Sequence, residues 1–110
     1  HVYRALLEGL VLQLRAGRDA IQRRSGTRFT RLVVAGGGSA SDGALQIAAD
    51  VFGLPAERAR YEDASALGAA MLAAAGAGWH AGVREAAQAM ARRGRTFAPD
   101  AAATARYDAI

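Results

Sequence analysis

A chain of 110 residues accommodates one domain at most, and without cysteine it has neither a disulfide framework nor a cysteine-based metal site. Hydrophobic residues at 52 % suffice for a core, and charged residues at 22 % are ordinary for a globular chain. The net charge of +4 is carried by arginines spread along the chain rather than gathered on one face among aromatics, which argues against nucleic acid as a partner.

Lysine is absent and alanine abundant, a pairing that reads as coding bias. The longest apolar tract, Ala64 to Gly78, is too short and too rich in alanine to span a bilayer, and no signal peptide is visible. The reading is therefore cytoplasmic, with no membrane partner. His1 opens the chain inside an amphipathic pattern and Ile110 closes it without a terminating signal, so the expectation is a piece of a longer protein.

Val2, Leu6, Leu7, Leu10, Val11, Leu14 and Ile21 recur at helical spacing, with Arg4, Glu8, Arg15, Arg18 and Gln22 opposite them. This predicts a helix over about residues 2–24, stopped by Ser25 and Gly26. Phe29 to Ala35 reads as a strand. Leu32, Val33, Val34 and Ala35 are continuously apolar, as in a parallel strand covered on both faces. Gly36 to Ala40 is a loop, and Ser41 or Asp42 caps the following helix by accepting from its free N–H groups. That helix is expected to bury Leu45, Ile47, Ala48, Val51 and Phe52. Gly53 closes it and Pro55 prevents its continuation.

Glu57 to Tyr61 is a short second strand. A helix capped by Asp63 or Ser65 runs to about Ala75, and its small faces predict close packing against a helix or sheet. A further helix covers about Val83 to Arg93. Arg92, Arg93 and Arg95 read as its solvated end, where cations suit the helix dipole. Phe97 to Pro99 is a loop, and Ala101 to Ile110 begins another helix. The expected order is helix, strand, helix, strand, helix, helix, an α/β unit.

Three consecutive glycines between a strand and a helix leave bare backbone where a ligand can approach free N–H groups. Gly36, Gly37 and Gly38 are not a Walker A loop, because no Gly-Lys-Ser/Thr follows. They match a dinucleotide fingerprint only loosely, since Ser41 stands at the third glycine. A bound nucleotide and a plain tight turn both fit the residues. No general base emerges: His80 reads as a solvated or packing histidine, Ser39 and Ser41 lack an adjacent base, and the carboxylates have no metal-ligand spacing. Asp42 reads as a helix cap and Asp50 as a solvated or salt-bridged residue.

The blocks Leu7–Arg15, Gly36–Ser41, Gln46–Pro55, Glu62–Gly78, Phe97–Asp100 and Tyr107–Asp108 resemble, in this order, the C-terminal part of the FGGY carbohydrate kinases. The resemblance is nearest to the xylulokinase and pentulose kinase branch. It implies two actin-like, ribonuclease H-like domains with a cleft between them. It also implies transfer of the γ-phosphoryl of ATP, with Mg2+, to a sugar hydroxyl such as that of a pentulose. Residues 1–110 would be part of the C-terminal, nucleotide-binding domain, and the N-terminal, sugar-binding domain would be absent.

By position, Gly36, Gly37 and Gly38 would line the nucleotide. Ser41 would lie beside the adenine, and Ser39 would belong to the same wall. The helix from Ser65 would pack behind the loop. Relatives often carry a tryptophan near Ala44, where this chain has Gly43 and Ala44. The family's catalytic aspartate lies in a motif upstream of Val2, so this chain holds no catalytic residue and is expected to be inactive alone. The partners implied are ATP or ADP and a sugar held mainly by the other domain, and the reading admits a homo-oligomer. The rival readings are a non-enzymatic α/β binding or assembly module whose glycines only make a turn, and a piece of a Rossmann dehydrogenase.

Overall fold

The computed structural model describes residues 1–110 and contains five helices and one three-stranded sheet. Helix α1 spans Val2–Ser25 and ends at Gly26, whose φ of 69° is the left-handed conformation that glycine adopts without penalty. Strand β1 is Leu32–Val34. It is shorter than the expected span from Phe29 because the Phe29 N–H is drawn back to the Gln22 side-chain oxygen at 2.9 Å, off the sheet. A 3-10 turn, Gly37–Ala40, leads into helix α2, Asp42–Phe52. Strand β2 is Ala56–Ala59, helix α3 is Ala64–Gly76, and helix α4 is Val83–Met90. Strand β3, Arg93–Phe97, and helix α5, Ala101–Asp108, complete the chain.

The sheet order is β1-β2-β3, with β1 parallel to β2 and β3 antiparallel to it. Helix α2 makes the parallel crossover and is enclosed from two sides. Leu45 and Ala49 join Ala56 and Phe97 in one cluster, against which Leu32 and Val34 pack. Ile47 and Val51 join Ala103 and Tyr107 in another, covered by Leu7, Val11 and Leu12 of α1. A helix with apolar residues on two sides needs such enclosure, and its polar stripe of Asp42, Gln46 and Asp50 runs between the two clusters. Phe52, expected inside with them, is only partly buried.

Strand β3 corrects the sequence reading, which extended a helix to Arg93 and left Phe97 in a loop. Ala56 pairs with Phe97 and Glu57 with Thr96. Phe97 is buried on the α2 side, and that burial outweighs the helical preference of the arginines flanking Gly94. A bulge follows: Ala59 pairs with Arg93, so Arg95 and Gly94 stand opposite the single residue Arg58. The other face carries Glu57, 3.6 Å from Arg31 and 3.3 Å from Arg93, an ion-pair bridge across the sheet.

Three further expectations change. Helix α3, capped by the Asp63 carboxylate accepting from Ala66 N–H at 2.9 Å, packs against α4 rather than behind the glycine loop, and only Ala74 on it is buried. Its small face, with Ala70, Ala73 and Ala74, lies beside Met90 of α4 instead. Strand β1 is not covered on both faces, since Val33 is 57 % exposed. Asp50 is buried without a cationic partner: its carboxylate accepts from Gln46 Nε2 at 2.9 Å and from Asp100 N–H at 2.8 Å, which fixes the start of α5.

Helix α1 is amphipathic as expected, yet Val2, Leu6, Leu10, Leu14 and Ile21 are all more than half exposed. Its polar side grips the ends of two other helices. Arg15 donates to Val51 O at 3.0 Å and to Tyr107 O at 3.3 Å, and Arg18 donates to Phe52 O at 3.2 Å. Carbonyls at helix C-termini suit cations, and those of Val51 and Phe52 have no backbone donor of their own. Glu8 accepts from Tyr107 OH at 2.8 Å and from Arg4 Nε at 2.8 Å, which pins α5 to α1.

Two outcomes follow from this packing. Leu45→Ala removes a side chain only 1 % exposed at the centre of the sheet cluster, and is expected to cost about 3 kcal/mol in urea unfolding. The second concerns pH. Hydrogen bonding from Tyr107, then from Arg4, holds the Glu8 carboxyl below its usual range, and burial, then Glu8, pushes the Tyr107 phenol up. A depressed carboxyl stabilises above its unfolded pKa and loses that contribution as pH falls through its folded value. A raised phenol stabilises below its unfolded pKa and loses that contribution as pH rises through its folded value. Docking of α5 is therefore strongest between about pH 5 and pH 9. Thermal melts should show Tyr107→Phe lowering Tm at neutral pH and flattening the alkaline fall.

Candidate functional site

The segment between β1 and α2 holds two adjacent free backbone donors. Gly36 has φ 89° and ψ 176°, a conformation essentially restricted to glycine, and its N–H donates to Glu62 O at 3.0 Å. The Gly36 carbonyl then accepts twice, from Ser39 N–H at 3.0 Å and from Ser39 Oγ at 2.7 Å. Ser39 is fully buried, so its hydroxyl is spent inside the loop. Gly37 and Gly38 open the 3-10 turn, and their N–H groups donate to no acceptor in the chain.

Ser41 is the N-cap of α2. Its Oγ accepts from Ala44 N–H at 3.2 Å, and the same hydroxyl keeps a proton to donate. Asp42, expected as a cap, is the first residue of the helix and instead forms ion pairs with Arg58 and, at 3.2 Å, with Arg95. Hydrogen bonding from Arg58 holds the Asp42 carboxyl below the ordinary carboxylate range, with burial working the other way.

The floor of the loop is a contact the sequence does not announce. Arg58 Nε donates to Ser39 O at 2.7 Å, and Arg58 Nη2 reaches Ala40 O at 3.4 Å as well as Asp42. The guanidinium lies over the Phe97 ring, 5.5 Å from its centroid, and Arg95 approaches the same ring at 4.7 Å. Both arginines share this face by strand alternation, Arg58 lying two residues from Ala56 and Arg95 two residues from Phe97. Only a long-range pairing brings Arg58, Arg95 and Asp42 together, so no local spacing could have found them.

The three glycines differ in what they need. Gly36 needs its missing side chain for its own backbone. Gly37 and Gly38 do not: neither has a positive φ, and a Cβ added to either meets nothing within 4 Å. The expected residues Gly36, Gly37, Gly38, Ser39 and Ser41 are thus one connected turn. Gly37 and Gly38 form its open face, Ser41 its junction with α2, and Ser39 its interior. His80 lies far along the chain after α3, and no group of three or more His, Asp or Glu side chains is placed to hold a metal.

A strand, a bare turn with unsatisfied amides and a helix start make this an α/β unit. Comparison with known proteins makes this specific. The chain belongs to the FGGY family of carbohydrate kinases, as its C-terminal domain, whose family model matches residues 1–77. It is 34 % identical over 110 residues to the xylulose kinase of Bacillus subtilis (strain 168), covering all of this chain and 22 % of that protein. It is 39 % identical over 79 residues to the glycerol kinase of Symbiobacterium thermophilum, covering 72 % of this chain and 16 % of that protein.

Among solved structures, xylulose kinase from Rhodospirillum rubrum superposes with a TM-score of 0.76 at 34 % identity, over 99 % of this chain and 22 % of that one. Ligand-bound xylulose kinase from Lactobacillus acidophilus superposes with a TM-score of 0.79, which at 24 % identity shows the shared fold. The fold is accordingly part of an actin-like ATPase domain. The chain spans about a fifth of the length of the curated relatives it matches over its full extent. No helix is long and apolar enough to cross a membrane.

The geometry separates fold from ligand at one position. Gly36→Ala should cost about 1 kcal/mol or more in denaturant unfolding, because alanine cannot relax at φ 89°. Gly37→Ala should leave the unfolding midpoint within about 0.5 kcal/mol of the parent, apart from helix propensity effects.

Proposed function

We propose that this chain is the nucleotide-binding part of an ATP-dependent carbohydrate kinase, with a pentulose such as xylulose as the acceptor of the whole enzyme. In this reading the adenosine part of ATP or ADP sits on the open face made by Gly37 and Gly38. Their amides and the Ser41 hydroxyl line it, and Ser39 and Gly36 shape it from within. Mg2+ accompanies the nucleotide, since it prefers phosphate oxygens and water to a dedicated protein cage. The sugar and the catalytic base belong to other parts of the enzyme, because phosphoryl transfer needs several elements in place at once.

One observation carries the reading. Gly37 and Gly38 are glycines that neither backbone conformation nor packing within the chain requires. Bare backbone with free N–H groups at a helix approach serves a partner that comes close to the main chain. The xylulose kinase relatives give the direction for the acceptor.

The test is a valine at Gly37. Adding ADP to 15N-labelled protein should shift the amides of Gly37, Gly38 and Ser41, and Gly37→Val should weaken ADP binding at least tenfold with little change in Tm. If ADP leaves these amides unmoved, the glycines make only a turn and the assembly-module reading takes over. A preference for NAD over ATP would favour the dehydrogenase reading. Sugar-dependent ADP release by residues 1–110 alone should stay at background.

A further inference from the structure

Arg58 is placed oddly for a strand residue of such a small sheet. It is only partly exposed, it stands opposite two residues of β3 at the bulge, and its guanidinium turns toward the loop before α2 rather than toward solvent. Two of its hydrogen bonds end on that loop, on Ser39 O and Ala40 O, and a third on the Asp42 carboxylate at the first residue of α2. Both carbonyls lie in the last part of the turn whose first two amides, on Gly37 and Gly38, are free. The Phe97 ring supports the guanidinium from the core side.

We propose that Arg58 is the positioning residue of the nucleotide loop. It clamps the carbonyl side of the turn so that the amide side stays presented outward before any ligand arrives. This rests on the nucleotide reading given above and adds to it the device that fixes the loop's shape. The physical reason is that Gly37 and Gly38 have no side chains to hold them, and unrestrained glycine loses more conformational freedom on ordering than any other residue. Fixing the turn beforehand removes that cost from the binding step.

Arginine suits the task. Its planar fork reaches two carbonyls and a carboxylate from one rigid group, which the single ammonium of lysine cannot reproduce. The bulge serves the same end. A Cβ at Gly94 would stand 3.0 Å from Arg58 O, so the absence of a side chain there lets β3 lie close against the Arg58 backbone without displacing it. Asp42 sits between Arg58 and Arg95 and anchors the exposed side of the fork.

The experiment compares the wild-type chain with Arg58→Ala, Arg58→Lys and Asp42→Asn by amide hydrogen exchange, thermal melting and NMR titration with ADP. Protection of the Ser39 and Ser41 amides should fall at least tenfold in both Arg58 variants, while Ala49 and Val51 in α2 keep theirs. Asp42→Asn, which spares both carbonyl contacts, should give a smaller loss. ADP affinity should drop about tenfold in Arg58→Lys although its Tm stays near wild type.

Unchanged Ser39 and Ser41 protection in Arg58→Lys would overturn the proposal, as would wild-type ADP affinity in that variant. If Arg58→Ala unfolds, the lysine and asparagine variants decide. If wild-type protein does not bind ADP, the nucleotide reading fails, and the exchange data still decide whether Arg58 holds the turn.

Discussion

The enclosure of α2 from two sides is the constraint on which the rest depends. Its residues alternate between partners: Leu45 and Ala49 face the sheet, and Ile47 and Val51 face α1 and α5. A helix with apolar residues on two sides buries them only when both partners are in place, so α2 fixes the relative position of the sheet and the two outer helices. Its C-terminal carbonyls are held by Arg15 and Arg18, and its N-terminus by Ser41. Every degree of freedom left to the Gly36–Ala40 turn is therefore measured against a fixed helix start.

From that fixed start the turn divides its work among residues that look alike in sequence. Gly36 supplies a backbone angle that other residues avoid, and Ser39 ties the turn to it from inside. Gly37 and Gly38 supply access. Arg58 and Glu62 restrain the turn from β2 and from the connection to α3, through main-chain carbonyls and one main-chain N–H. The loop is thus held almost wholly by its own backbone polar groups, which leaves its outer surface uncluttered.

Much of this was legible in the chain. Helical spacing gave α1 from Val2 almost to its end, and the apolar run from Leu45 to Val51 gave α2 and most of its buried residues. The parallel pairing of β1 and β2 follows from a strand, a helix and a second strand in succession. The left-handed glycines at 26 and 53 and the caps at Ser41 and Asp63 were equally local. What escaped depends on distance along the chain. Strand β3 is a poor strand by composition and exists because Phe97 finds the α2 face. Asp50 looked like a surface carboxylate because Asp100, which donates to it, lies fifty residues away. Arg58 has no local signature, because two of its partners are carbonyl oxygens, which every residue has, and the third, Asp42, lies sixteen residues away.

The outer edge of β1 has a further consequence. It carries no neighbouring strand, and beside it lies a trough of exposed side chains that includes Val33, Leu10 and Leu14. Unpaired backbone next to oily surface is a template for association between copies. An edge left open in this way has room for one more strand or a covering length of polypeptide, which would close the ladder and roof the trough together.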